Sequence, residues 1–207
     1  MTEFFMDSVF FCCIMNIGGA NMDKELIKKF LNCYGPDEKL DQIYDDVVDR
    51  YHGILPDEFL ALWVNFGFGN YGGGILKVIN PDEFKKNLYL WIRKEDPNCI
   101  PFMITAFGDI FYYKKESNTY YLLSIHYRKE KKCADSLEEF ISYITSAQAI
   151  HTDLRAGLYI EAERKLGSLS NDDIYMFVPS LQFGGKEIVD NIQKSEATLW
   201  QNIAYGD

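Results

Sequence analysis

The sequence predicts an α+β fold: a small antiparallel sheet flanked by helices, followed by a mostly helical C-terminal part. Three observations lead there. Residues 100–129 hold two runs rich in β-branched and aromatic side chains, IPFMITAFGDIFYYKK and TYYLLSIHYRK. Helix signals with recognisable starts and stops stand on both sides of them. Beyond about residue 150, apolar residues recur every four positions, as in Leu154, Leu158, Ala162 and Leu166.

The elements follow in order. Met22 to Tyr34 reads as a helix with Leu26, Ile27, Phe30 and Leu31 on one face, stopped by Gly35-Pro36. PDEKLDQIYDDVVD then carries six carboxylates against Lys39 and reads as a solvated linker or helix face. LPDEFLALWVNFG is a helix with Pro56 in its first turn, Asp57 and Glu58 near the positive end of its dipole, and Gly67 closing it. GILKVIN is strand-like. Asn80-Pro81-Asp82-Glu83 starts another helix, with Asn80 as cap and Phe84, Leu88, Trp91 and Ile92 as its buried face.

Gly108-Asp109 and Ser117-Asn118 break the aromatic runs, giving three or four strands in an antiparallel meander. Arg128 to Lys132 reads as a solvated loop. Ser136-Leu137-Glu138-Glu139 is a capping box opening a helix with Phe140, Ile141 and Ile144. Gly167 ends the helix of the four-residue repeat, Ser170 to Asp173 opens a turn or short helix, and VPSLQFGG is a loop. Residues 186–204 read as one amphipathic helix with Ile188, Ile192, Leu199 and Ile203.

The domain division expected from this pass is 22–130 for the α+β part and 131–207 for the helical part. Residues 1–21 are expected to be translated leader. Val9 to Ile17 is too short an apolar run to span a bilayer, and Glu3 and Asp7 precede it without any Lys or Arg. Gly18-Gly19 can be encoded as a ribosome-binding sequence ahead of Met22, which would then be the native start.

Charge narrows the partner. A net charge of −10 and a pI near 4.8 disfavour nucleic acid, which needs a basic face, and suit a basic protein partner. The five cysteines are scattered apart from Cys12-Cys13, with no C-x-x-C, so neither a zinc site nor a redox motif is expected and a reducing cytoplasm is the default. Neither a membrane nor a cofactor is implied; the oligomeric state is left open.

GFGNYGG, residues 67–73, matches the dinucleotide pattern G-x-G-x-x-G in its letters. The chemistry needs a strand before the glycines and a helix after them, because the helix N-terminus holds the pyrophosphate. Here the order is reversed, so the segment is expected to be a helix-to-strand turn with positive φ at Gly67 or a near neighbour. His52, His126 and His151 show no metal spacing. Asp109 could serve as a lone catalytic acid, paired at most with His126, but a tight turn is the favoured reading.

What remains is an acidic binding module. A nuclease cleft must be positive to hold phosphates, and an acidic protein can be steered to it and compete with DNA there. A resemblance sharpens this. LPDEFLALWVNFGFGNYGGGILKVINPDEF, PFMITAFGDIFYYKK and YYLLSIHY resemble the bacterial GAD-like domain. LGSLSNDDIYMFVPSLQFGGKEIVDNIQK is similar to the C-terminal domain of the Tdi-like type VI secretion immunity proteins, with Met176 in place of the usual Gly and Gln182 in place of an apolar residue. The N-terminal part also resembles the wider SMI1/KNR4 (SUKH) immunity class.

The resemblance implies a cytoplasmic immunity protein without catalysis of its own, neutralising a toxin of the DNA-degrading kind by direct contact. The toxin-binding candidates are Asp37, Glu38, Asp41, Asp45, Asp46 and Asp49 in the acidic stretch. The second set is Gln182, Phe183, Lys186, Glu187, Asp190 and Asn191 in the late loop. A small-molecule-binding or regulatory domain of the same superfamily is the alternative.

Overall fold

The computed structural model describes residues 24–206, apart from Lys39 and Tyr44. The expectation for residues 1–21 lies outside them, as do Met22 and Lys39. The first helix, α1, runs Lys24–Cys33 and buries Ile27, Phe30 and Leu31. A short α2 spans Asp45–Tyr51 and buries Val47 and Tyr51. The third, α3, is Asp57–Phe66 and sinks Phe59, Leu60, Leu62 and Trp63, each worth about 1.5–3 kcal/mol of transfer from water.

Gly67 stops α3 with φ 107°, its N–H on the Trp63 carbonyl at 2.8 Å. A Cβ there would lie 2.6 Å from the Asp41 carbonyl oxygen, so both backbone conformation and space demand glycine. The expected helix-to-strand turn is therefore found. The glycines after it are built into β1, Gly69–Tyr71, and the tight turn that leads to β2, Leu76–Val78. Asn80 caps α4, Pro81–Ile92, accepting the Asp82 N–H at 3.1 Å, as its sequence predicts.

β3 (Cys99–Thr105), β4 (Ile110–Lys114), β5 (Thr119–Ser124) and β6 (Lys129–Ala134) complete a six-stranded sheet of consecutive antiparallel neighbours, β1 to β6. The breaks fall at Gly108-Asp109 and Ser117-Asn118, as expected. Two strands were not expected. β1 lies inside the glycine-rich stretch, and β6 occupies the basic run read as a loop. β6 is an edge strand whose first four side chains are exposed, so it carries no apolar alternation; its lysines are the charges that keep such an edge from pairing with other chains.

The sheet is covered on both faces, and alternate side chains divide between two cores. Phe102, Phe111, Tyr113, Tyr120 and Leu122 join one core with α1, α3 and α5, the capping-box helix Leu137–Ile144. Ile104, Ile110, Tyr112 and Leu123 join the other with Phe84, Leu88 and Trp91 of α4. α6 (Ala147–Thr152) and α7 (Ala156–Leu166) follow, and Gly167 caps α7.

The end of the chain differs from its expected form. Residues 173–177 are a strand, β7, paired antiparallel with β8, Ile192–Glu196, and the last helix, α8, is only Ala197–Gly206. The single helix expected over 186–204 is thus a loop, a strand and a helix. The apolar spacing misled because Ile192 faces inward from a strand, while Ile188, Leu199 and Ile203 are exposed. The face of α8 that packs inward is Ala197, Trp200, Gln201 and Ala204.

Candidate functional site

The acidic stretch lies along the open edge of β1. Asp37 N–H bonds the Asn70 carbonyl at 3.0 Å and Asp41 N–H bonds the Phe68 carbonyl at 2.8 Å, so Pro36-Asp37 and Asp41 act as pieces of a broken edge strand rather than a free linker. Three of the six carboxylates have partners within the chain. Asp37 Oδ1 accepts the Gly73 N–H at 2.9 Å, and Asp41 Oδ2 accepts from Asn171 Nδ2 at 3.4 Å. Asp46 pairs with Arg50 at 2.7 Å, and Arg50 also meets Asp82 at 2.9 Å. Glu38, Asp45 and Asp49 are exposed.

The second set sits on the loop between β7 and β8. Gln182, Phe183, Lys186, Glu187 and Asp190 are exposed, and Asn191 is half-buried. Four ties fix this loop. Gln182 Nε2 donates to the Ile125 carbonyl at 3.3 Å, Glu187 Oε1 meets Arg155 Nε at 2.9 Å, Asp190 meets Lys165 at 2.8 Å, and Asn191 Nδ2 donates to the Lys186 carbonyl at 3.1 Å. Gly185 is packed so closely that a Cβ would collide with the Pro179 carbonyl oxygen. Phe183 nevertheless stands 61% exposed, with Ile188 at 45% on the same loop and Tyr127 at 49% on the β5–β6 turn beside it.

The two sets do not merge. One lies along the outer edge of β1 and the other meets the end of β5, with β2, β3 and β4 between those two strands in the sheet.

Between sheet and C-terminal part lies a polar seam that sequence reasoning missed. Arg155 is 8% exposed and lies in the left-handed region, φ 51°, just ahead of α7. Its Nη1 meets Asp109 Oδ2 at 2.7 Å while Nε meets Glu187, and its guanidinium lies 5.5 Å from the Phe107 ring centroid and 5.9 Å from that of Tyr127. Burial alone would lower its pKa; the adjoining Asp109 and Glu187 carboxylates outweigh that and hold the guanidinium above its usual value. At the other end, Lys77 of β2 is fully buried, its ammonium on Asn70 Oδ1 and on the Ser170 carbonyl at 2.8 Å. Burial pulls that amine down to about 8, against the pull of Asp173, Asp37 and Asp172. Gln201 of α8 closes the seam by donating to the Gly108 carbonyl at 2.9 Å.

Asp109 is therefore a structural carboxylate. Its Oδ1 accepts the Ile125 N–H at 2.8 Å and the Ser124 hydroxyl at 3.2 Å, and Oδ2 is taken by Arg155. His126 is buried with Nε2 against the Phe107 carbonyl at 2.7 Å, and burial lowers its pKa. Asp109 and His126, at 1% and 4% exposure, offer no atom to a substrate, so the pairing entertained from sequence has no geometry for hydrolysis. Among the described residues, no three His, Cys, Asp or Glu side chains gather as a metal site, and no helix is long and apolar enough to cross a membrane.

The described residues form a sheet-and-helix scaffold carrying a tied, aromatic-tipped loop. Comparison with known proteins gives the family. Residues 25–126 match the GAD-like domain, and residues 134–204 match the C-terminal domain of the T6SS immunity protein Tdi1. In architecture the chain belongs to the type VI secretion immunity proteins that join these two domains. The crystal structure of Atu4351 from Agrobacterium tumefaciens shares the fold, with a TM-score of 0.67 and 17% identity over 86% of this chain and 87% of that one. No curated protein matches the chain.

Proposed function

We propose that this protein is a cytoplasmic immunity protein. It binds a cognate secreted antibacterial toxin, a DNase, by direct contact, and carries out no reaction itself. The observation that carries the reading is the match of residues 134–204 to the C-terminal domain of the immunity protein Tdi1. The net charge of −10 supports a basic, phosphate-gripping partner, because opposite net charge speeds encounter and a DNA-binding cleft is positive. The loop 182–191 and the exposed acids Glu38, Asp45 and Asp49 are the surfaces assigned to the toxin. We place the division between the GAD-like part and the helical part near residue 130.

The test is co-expression with the product of the adjacent gene. Growth should be rescued from a product that is toxic alone, and the two proteins should co-purify. A toxic neighbour that this protein neither neutralises nor binds rules out immunity for that pair.

A further inference from the structure

We propose that Arg155 is a positioning residue for toxin binding: it locks the 178–191 loop through Glu187 so that Phe183 is held out as a preformed anchor for an apolar pocket on the toxin. This rests on the immunity reading above. The loop packs Leu181 and Val189 partly against the core but leaves Val178, Gln182, Phe183, Lys186, Glu187 and Ile188 exposed. Besides that packing and the Asp190–Lys165 pair, it is tied to the sheet at the Ile125 carbonyl and, through Glu187 and Arg155, at Asp109 in the β3–β4 turn.

A buried guanidinium is expensive to desolvate, and this one is met by carboxylates from two separate segments and, at 3.5 Å, by the Asp153 carbonyl. Inside the monomer that expense orders a loop whose tip then leaves a phenyl ring in water. The exposed ring gives nothing to the fold, but it suits association, where an aromatic held in its bound position loses little freedom on docking. Charge decides the occupant. A second copy brings another −10 and is repelled, whereas a basic toxin is attracted. The contact is therefore heterologous, with Phe183 as the knob and the toxin supplying the hole.

The experiment measures binding of purified toxin, in an active-site-inactivated form, to the full chain by surface plasmon resonance, with thermal unfolding and amide hydrogen exchange on each variant. Phe183→Ala should weaken binding about thirtyfold or more, mainly through faster dissociation, with an unchanged melting temperature. Glu187→Ala leaves the Arg155–Asp109 pair in place. It should speed amide exchange over residues 181–188 and weaken binding about tenfold, chiefly through slower association. Glu187→Gln keeps a hydrogen-bond acceptor for Nε and should restore most of that loss, which a merely structural role would not require. If the wild type binds and protects but both alanine variants bind within twofold of it, the inference is wrong while immunity stands. If the wild type itself neither binds nor protects, the immunity reading fails first. A dimer of this chain that Phe183→Ala dissociates, with toxin affinity unchanged, would also overturn the assignment.

Discussion

Asp109→Asn is the sharpest probe of the seam, because it changes one charge and almost no volume. The carboxylate is 1% exposed and serves three donors: Ile125 N–H, Ser124 Oγ and Arg155 Nη1. Asparagine can keep its oxygen toward Ile125, but its amide then meets Arg155 donor to donor. Removing one partner of a buried ion pair typically costs 3–5 kcal/mol; Arg155 retains Glu187, so about 3 kcal/mol is expected here. For a chain of this size that is a fall of about 6–12 °C in Tm. Arg155→Met should cost a similar amount, by stranding Asp109. The double variant removes both charges and should lose about 2 kcal/mol less than the sum of the singles. Urea unfolding of the four proteins at neutral pH gives the cycle. Losses that add within about 0.5 kcal/mol would refute the pair as a coupled unit.

Gly67→Ala should destabilise by about 1–3 kcal/mol in the same unfolding assay, since φ 107° strains any L side chain and the new Cβ meets the Asp41 carbonyl. Replacing Glu38, Asp45 and Asp49 with Lys should slow toxin association and flatten its salt dependence with little change in Tm, whereas Asp37→Ala, which frees the Gly73 N–H, should act first on Tm. Lys77 sits near 8 in the fold and is expected near its ordinary value when unfolded, so the unfolded chain binds the extra proton between those pH values and stability gains with rising pH. Tyrosines buried in the fold, such as Tyr71 and Tyr120, are raised by burial and act in the opposite direction above about pH 9. The clean readout is therefore the stability of wild type minus that of Lys77→Met, which should rise by up to about 1.4 kcal/mol per pH unit between about pH 8 and 10; a flat difference contradicts the assignment.

What the sequence discloses is what short-range chemistry controls. The stop at Gly67, the cap at Asn80 and the box at Ser136 each depend on residues within four positions, and each is where the residues predict it. β6 was hidden because an edge strand of Lys129, Glu130, Lys131 and Lys132 is polar on both faces, as a loop is. The last helix was misphased because apolar spacing cannot tell a core face from a solvent face: Leu199 and Ile203 repeat correctly, yet Trp200 is the residue that packs. Asp37 and Asp41 read as free charge although their segment is edge backbone for β1. Arg155 and Lys77 carried no local signal at all. Their partners lie 46 and 93 residues away, and a lysine between Leu76 and Val78 predicts a solvated face unless one knows that both faces of the sheet are covered.

The seam also ties the two family domains together. The β3–β4 turn and β1 leave polar groups that the N-terminal part does not satisfy alone. The Asp109 carboxylate, the Gly108 carbonyl and the Asn70 side chain are closed by Arg155, Gln201 and the Leu169 carbonyl, all from the C-terminal part. Separating the parts would expose these groups and the shared core around Tyr175, Phe177 and Phe107 together. Such an interface resists sliding, because directional polar contacts at 2.7 to 2.9 Å have one register whereas an apolar surface has many. The 178–191 loop inherits that register through Glu187. A substitution that loosens Asp109 should therefore reach the loop through Arg155, more than 40 residues along the chain, without touching the surface proposed to meet the toxin.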